Sequence, residues 1–145
     1  MSLPRPEPGL VIRYSYLWLN EHREGREEGV KDRPCAVILA TRDQDGDIRT
    51  LVVPVTHSAP RRGEDALELP AILKRTLGLD AERTWVVVSE SNFFTWPGPD
   101  LRRVGDRDDR SVVYGSLPPK FFAELKRSWL AYEATHGSRR IPRTE

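Results

Sequence analysis

Apolar and polar residues alternate, or run in short blocks, along most of the chain, and this pattern predicts short β-strands. Residues 11–19 alternate, so Arg13 and Ser15 fall on one face of a predicted strand. The opposite face carries four large side chains, Ile12, Tyr14, Tyr16 and Trp18. The long segment 20–32 that follows is polar, rich in charge and contains two glycines, which predicts a loop.

Further strands are predicted at residues 35–40, 51–55, 67–69 and 85–88. The first of these is continuously apolar, as expected for a strand buried on both faces. Pro54 indicates an edge strand or a bulge, because proline has no N–H for a sheet hydrogen bond. Segments 43–47 and 60–65 have the composition of turns, segment 92–104 is predicted to be irregular, and 105–110 is predicted to be a charged turn.

Two helices are predicted, a short one at residues 70–77 and a long one at about 118–135. Pro70 suits the first turn of the short helix, and Gly78 suits its end. The long helix has an apolar stripe at helical spacing, formed by Phe122, Leu125, Trp129 and Tyr132. The flanking segments 1–8 and 138–145 are predicted to be a flexible arm and a flexible tail.

The 145 residues indicate a single domain spanning 1–145. Several short strands together with a terminal helix predict an α+β fold, mainly β, built as a small barrel with a C-terminal helix. Twelve prolines and ten glycines agree with short strands and many turns. Periodicity alone does not distinguish one kind of barrel from another.

Charge and cysteine content narrow the functional classes. The net charge is +1, so any anion-binding surface must be local. Cys35 is the single cysteine, which excludes a disulfide within the chain and a cysteine-based metal site. The three histidines show no metal-ligand spacing, and no cofactor is expected. Neither a signal peptide nor a membrane-spanning apolar run is apparent, so a cytoplasmic location is expected.

One pair of motifs carries most of the functional information. Arg33-Pro34 opens the apolar strand at 35–40, and the strand at 51–55 ends in Pro54-Val55-Thr56-His57-Ser58. Arg33 and Thr56 are 23 positions apart. These motifs resemble the MazF/PemK toxins. The segments 8–11 and 115–118 resemble the opening and closing segments of the same family.

The resemblance implies an SH3-like barrel of the MazF/CcdB type that forms a homodimer. It implies a growth-inhibiting toxin of a toxin–antitoxin system, an endoribonuclease that cleaves single-stranded RNA without metal. It also implies an acidic antitoxin that occupies the RNA groove. The chain departs from the family after the strand at 85–88. Many members carry an Arg and an acid there, and this chain reads Ser89-Glu90-Ser91.

Metal-free RNA cleavage uses the ribose 2′-hydroxyl as nucleophile, so the protein must position the reacting atoms and neutralise the charge that develops on phosphorus. Arg33 is the candidate for neutralisation, because its guanidinium is planar and always charged. Thr56 is a candidate hydrogen-bond donor to the same oxygens. His57 is a candidate general base, although strand alternation turns it away from a groove that Thr56 faces unless the strand has already ended there. Ser58 then returns to the groove face.

Six further residues are candidates for contact with RNA: His22, Arg61, Arg62, Glu90, Phe94 and Trp96. The two arginines would steer phosphates, and the two aromatic residues would stack on unpaired bases. His22 lies in the long loop and would swing over the site. Glu90 and Glu28 are weaker options for acid–base chemistry.

Two alternatives remain open at this point. The same barrel family includes toxins that poison DNA gyrase, which act as protein-binding modules. A barrel that only binds RNA or protein is the second alternative, and the missing Arg after Val88 favours it.

Overall fold

A computed structural model describes residues 3–26, 29, 31–105, 111–137 and 139–143. In these residues the fold is α+β and mainly β, with a long helix near the C-terminus. The strands are β1 (Leu10–Tyr14), β2 (Arg33–Arg42), β3 (Ile48–Thr56), β4 (Ala66–Glu68), β5 (Trp85–Val87), β6 (Ser91–Thr95), β7 (Val113–Ser116) and β8 (Arg140–Pro142). The helices are α1 (Leu19–Arg23), α2 (Ala71–Leu77) and α3 (Pro119–His136).

The strands form one sheet in the order β4-β5-β3-β2-β1-β7, and β6 pairs with both β3 and β8. All pairs are antiparallel except β6 with β8, which is parallel. Among the described strands β4 and β7 are the two ends and do not pair, so the predicted closed barrel is not found. The sheet branches because β3 shares its second edge between β5 and β6. The α+β class and the C-terminal helix are confirmed.

Pro54 lies in the middle of this sheet and not at its edge. One edge of β3 pairs with β2 along most of its length. On the other edge, Arg49–Val52 pair with β6, and Val55 and Thr56 pair with β5. Pro54 therefore falls in the gap between two partner strands, where a missing N–H costs no sheet hydrogen bond.

Two hydrophobic clusters cover the two faces of the central strands. Ala36 and Ile38 belong to the cluster under α3, and Cys35 and Val37 belong to the cluster on the opposite face. This alternation confirms that β2 is buried on both faces. The second cluster also contains the predicted face of the first strand, with Ile12, Tyr14 and Tyr16 fully buried and Trp18 at its margin.

The buried apolar stripe of α3 begins at Phe121 and not, as predicted, at Phe122. Its buried side chains are Phe121, Leu125, Trp129 and Tyr132. Phe122 is only half-buried and packs against the margin of the same cluster. Both phenylalanines suit an apolar stripe at helical spacing, so the sequence could not decide which one faces the sheet. No helix in the described part of the chain is both long and apolar enough to span a membrane.

Several element boundaries differ from the predictions. The first strand ends at Tyr14, and α1 occupies the start of the predicted loop, where the Glu21 carboxylate accepts the Trp18 N–H at 3.0 Å. Strand β6 lies in the segment predicted to be irregular, because pairing with β3 overrides weak local signals. Helix α2 ends as predicted, with Gly78 in the left-handed conformation at φ +72°. Residues 106–110 and Glu28 lie outside the described residues.

The predicted C-terminal tail is anchored to the sheet. Arg140–Pro142 form β8, and Arg143 beyond it is 7% exposed. The Arg143 guanidinium lies 3.2 Å from the Asp100 carboxylate and donates to Asn92 Oδ1 at 3.1 Å and to the Ser15 carbonyl. The arm at the other end is also partly fixed, since Pro6 is buried. Residues 140–143 are thus tied to the core by buried contacts.

We expect Arg143→Ala to destabilise the fold by about 3–5 kcal/mol, because it leaves the buried Asp100 carboxylate without its cation. The matched control is Arg140→Ala. Arg140 pairs with Glu133 at 3.0 Å on the surface, and its loss should cost less than about 1 kcal/mol. Urea unfolding followed by tryptophan fluorescence measures both. Equal losses in the two variants would contradict the anchoring role of Arg143.

Candidate functional site

The pairing of β2 with β3 brings Arg33 and Thr56 together. Cys35 is the partner of Pro54 in this antiparallel pair. Arg33 lies two residues before Cys35 and Thr56 lies two residues after Pro54, so both stand at the same end of this pair. Arg33 Nη1 donates to the carbonyl of Val55, the neighbour of Thr56, at 3.3 Å. The spacing of 23 residues in the sequence is therefore the length of one hairpin.

The Arg33 side chain is held in place from several directions. Its Nη1 donates to the Val55 carbonyl at 3.3 Å, and its Cζ lies 4.9 Å from the centre of the Trp18 ring. Its Nε is buried and has no hydrogen-bond partner among the described residues. The side chain thus contacts the Trp18 ring and β3. Among the described residues Nη2 has no hydrogen-bond partner and can meet a ligand.

Two adjoining concavities meet at this pair, and we call them together the central groove. The first has a volume of about 410 Å³, and Lys31, Asp80 and Tyr114 contribute to its wall. The second has a volume of about 320 Å³ and is lined by Trp18, Asp65 and Ser89 among others. Arg33, Thr56 and Ser58 line both.

The charge of the central groove is mixed. Lys31 and Arg33 supply cations, and Asp32, Asp65 and Asp80 supply carboxylates. Asp32 is partly neutralised, because Arg13 and Arg102 lie 3.9 and 3.7 Å from its carboxylate oxygens. An anionic ligand would therefore be drawn to the Arg33 side of the groove and not to its whole surface.

His57 lies in the groove wall, where simple strand alternation would have turned it away. Strand β3 ends at Thr56, so alternation stops there. The His57 Nδ1 is 3.1 Å from the Arg83 carbonyl oxygen, and its Nε2 is 3.0 Å from Asp80 Oδ2. Both ring nitrogens are engaged, so neither is free to take a proton from a substrate in this arrangement. Ser58 donates its N–H to Thr56 Oγ1 at 3.2 Å.

Three predicted RNA contacts lie outside the groove wall. His22 is exposed on α1, and Arg61 and Arg62 are exposed on the turn after Pro60, which itself lines the second concavity. Arg62 is 4.0 Å from Glu64, a weak surface pair. The two arginines are close in sequence to the groove and remain candidates for steering phosphates at its margin.

The predicted stacking role is wrong for Phe94. This side chain is 1% exposed and stacks on Tyr14 with 4.7 Å between ring centres, so no base can reach its face. Phe94 pairs with Thr50, six residues before Thr56 on β3, which is roughly 20 Å away along the strand. Trp96 lies farther still, with its N–H bonded to the Ile48 carbonyl, and it packs on Phe94. Both aromatics belong to the far end of the sheet.

Glu90 does not line the central groove, and it hydrogen-bonds instead to residues beside Trp18. Its Oε1 accepts the Leu19 N–H at 2.9 Å and the Tyr16 hydroxyl at 3.1 Å. Burial raises the pKa of the Glu90 carboxyl, and these hydrogen bonds oppose the rise. Burial, followed by the nearby Glu90 charge, raises the pKa of Tyr16 well above its ordinary value. Glu90 thus fixes the start of α1 beside Trp18.

Sequence reasoning missed Trp18, Asp65 and Tyr114 as groove residues. Trp18 continued the alternation of the first strand and was therefore assigned to the core face. The chain leaves the sheet after Tyr14, which frees Trp18 to cover Arg33. Asp65 and Tyr114 carry no local motif, and only the fold brings them to the groove.

The groove presents the Arg33 guanidinium, the Lys31 ammonium and several hydroxyls, among them those of Thr56 and Ser58, which are donors suited to phosphoryl oxygens. The chain matches no protein-family model and no curated protein. The residues of the central groove are therefore the features that indicate its chemistry.

We expect the free energy of unfolding of Glu90→Gln, minus that of the parent, to increase as pH rises from about 4 to 7. The raised pKa of Glu90 gives the parent a stabilising contribution that is complete below the unfolded-state pKa. That contribution is lost as pH rises through the folded-state pKa, and the glutamine variant does not lose it. Urea unfolding of both proteins across this pH range measures the difference.

Glu68→Gln is the control with the opposite sign. A hydrogen bond from Arg83 lowers the pKa of Glu68, so its contribution is present above the unfolded-state pKa and lost as pH falls. The free energy of unfolding of Glu68→Gln, minus that of the parent, should therefore decrease as pH rises. If both variants change in the same direction, the assignment of Glu90 fails.

Proposed function

We propose that the central groove binds single-stranded RNA and cleaves it by attack of the ribose 2′-hydroxyl, without a metal ion. The observation that carries this proposal is the fixed Arg33 guanidinium, which lines both concavities together with Thr56. An extended strand of RNA would place one nucleotide in each concavity and the scissile phosphate between them. A duplex would not fit this arrangement.

Arg33 and Thr56 have separate roles in the proposed reaction. Arg33 has used Nη1 on the Val55 carbonyl, so Nη2 would meet a phosphoryl oxygen as negative charge develops on it. Thr56 Oγ1 accepts the Ser58 N–H, which leaves its own proton to be donated to phosphate. Trp18 and the Val55 carbonyl hold the guanidinium before substrate arrives, so little reorganisation is needed.

The bond changes in the proposed step balance without a cofactor. The 2′-oxygen loses its proton and bonds to phosphorus, and the bond from phosphorus to the 5′-oxygen breaks. The products are a 2′,3′-cyclic phosphate and a 5′-hydroxyl end. Asp65, in the second concavity, is the groove carboxylate that we propose to accept the proton, and a proton from solvent water completes the 5′-hydroxyl as the leaving oxygen departs.

The wider biological setting is proposed from the resemblance to the MazF/PemK toxins. We propose that the open sheet with its packed C-terminal helix is a variant of the SH3-like barrel, assembled as a homodimer. An acidic antitoxin segment would compete with RNA for Lys31 and Arg33, the two cations in the groove wall. This gives a simple electrostatic basis for neutralisation of the toxin.

One observation favours a second candidate, a barrel that binds RNA or a protein such as gyrase without cutting. Both ring nitrogens of His57 are engaged, so the groove lacks a free histidine for proton transfer. Inhibition of gyrase supercoiling without any RNA cleavage would identify the protein-binding form. Binding of RNA without cleavage would identify the other.

We expect the purified protein to cut single-stranded RNA in the presence of EDTA and to leave a 2′,3′-cyclic phosphate. A substrate with deoxyribose at the cut site should resist cleavage, because the nucleophile is absent. Gel analysis of end-labelled oligonucleotides measures both outcomes. Cleavage of the deoxy substrate, or loss of activity on chelation, would rule out the proposed mechanism.

We expect Arg33→Ala to lower the cleavage rate by about 10²–10³-fold while RNA affinity changes far less, because the contact strengthens in the transition state. Arg33→Lys should restore only part of the rate, since a point charge cannot reproduce the guanidinium fork. Thr56→Val should cost less than Arg33→Ala, and His57→Ala should cost least. Single-turnover rates and filter-binding affinities separate the two effects.

Thermal melts must show each variant folded at the assay temperature, because Arg33 and Thr56 both lie on core strands. Arg61→Ala is a further comparison, since a steering residue affects binding more than the rate of the bound complex. A folded Arg33→Ala protein that cuts RNA as fast as the parent would refute the assigned site.

A further inference from the structure

We propose that His57, Asp80 and Glu82 form a binding site for a first-row divalent transition-metal ion, such as Zn²⁺, at the rim of the central groove. This site goes beyond the proposed cleavage reaction, which uses no metal. The three side chains come from two separate loops, one after β3 and one between α2 and β5. The spacing of these three residues in the sequence does not indicate a shared site.

The ligand atoms already converge on one point. His57 Nε2 lies 3.0 Å from Asp80 Oδ2 and 3.4 Å from Glu82 Oε2. One ligand atom from each residue lies within 4.8 Å of both others. Ligands about 2.0–2.2 Å from a common zinc ion are roughly 3.3–3.6 Å apart in a tetrahedral site, so small movements of these exposed side chains would bring them to one ion.

The histidine ring has the orientation of a metal ligand. Its Nδ1 lies 3.1 Å from the Arg83 carbonyl, which can only accept, so Nδ1 carries the proton. Nε2 is then directed at two carboxylates, which would repel its lone pair. A divalent ion placed between them would be within reach of all three ligand atoms. A backbone carbonyl on the other ring nitrogen is the usual support of a zinc-bound histidine.

The loop that carries the two carboxylates is fixed by contacts outside the cluster. The buried Lys74 ammonium donates to the carbonyls of Ala81, at 3.3 Å, and Glu82. Asp80 Oδ1 accepts the Glu82 N–H at 3.1 Å, which leaves Oδ2 for the shared point. The site therefore needs little ordering when a metal ion enters.

The neighbouring arginine does not neutralise this pair of acids. Arg83 turns to Glu68, with hydrogen bonds of 2.9 and 2.8 Å to its two carboxylate oxygens. Within the described part of the chain, His57 is the cationic partner at ion-pairing distance from Asp80 and Glu82. The two carboxylates face one imidazole, and a divalent ion between the three side chains would be attracted by both negative charges.

The donor set indicates the class of ion. One imidazole nitrogen and two carboxylates suit Zn²⁺ and its first-row neighbours, whereas Mg²⁺ and Ca²⁺ prefer oxygen ligands throughout. All three side chains are exposed, so water would complete the coordination and the ion would exchange freely. An open site with three protein ligands is typical of an accessible zinc ion and not of a closed structural one.

Isothermal titration calorimetry of the full chain with ZnCl₂, in a non-chelating buffer near neutral pH, tests the proposal. We expect one Zn²⁺ per chain and no measurable heat from MgCl₂. His57→Gln should abolish binding, and Asp80→Asn and Glu82→Gln should each weaken it at least about tenfold. Asp80→Asn is chosen because the amide oxygen can still accept the Glu82 N–H and hold the loop.

His136→Gln is the matched control. His136 Nε2 lies 3.3 Å from Glu64 Oε1, a histidine–carboxylate pair that lacks a third ligand among the described residues. This variant should bind Zn²⁺ as the parent does. Cys35 is fully buried and cannot supply a competing thiolate. Thermal melts without metal show whether each variant is folded.

A parent protein whose zinc affinity is weaker than about 1 mM would overturn the proposal and leave the cluster as a surface contact between a histidine and two acids. Unchanged stoichiometry and affinity in folded His57→Gln would overturn it as well. No RNA is present in the titration, so its outcome is independent of whether the central groove cleaves RNA.

Discussion

The register between β2 and β3 is the constraint on which the central groove depends. A shift of one residue would send Arg33 and Thr56 to opposite faces of the sheet. Burial on both faces prevents that shift, because neighbouring residues such as Cys35 and Ala36 belong to different hydrophobic clusters. The same packing that stabilises the sheet therefore sets the geometry of the groove.

A chain of buried polar contacts extends this control to Trp18. Asn92 on β6 accepts the Leu17 N–H at 2.9 Å and donates to the Leu17 carbonyl at 2.8 Å. Arg143 donates to the same Asn92 oxygen, so the last strand and the segment before α1 share one support. Trp18 follows Leu17 directly and lies against Arg33. A residue near the C-terminus thus helps to set the position of the proposed catalytic arginine.

The sequence predicted the features that depend on local pattern. The apolar run of β2, the turn at Gly46 and the ends of α2 follow from periodicity, glycine and proline. Features that depend on distant pairing were missed, such as β6 against β3 and β8 against β6. Arg33 and Thr56 were found because a hairpin joins them, which gives a fixed spacing. Asp80 and Glu82 were not, because only the folded loops bring them to His57.

Cys35 has a consequence for experiments on this protein. It lies two residues after Arg33 on β2, between partners Ile12 and Pro54, and is fully buried. Burial raises the pKa of its thiol, so in the folded chain the sulfur is both protonated and inaccessible. A thiol reagent can then react only when β2 separates from its neighbours. The rate at which a thiol reagent labels this single cysteine therefore reports how often β2, the strand that carries Arg33, separates from its neighbours.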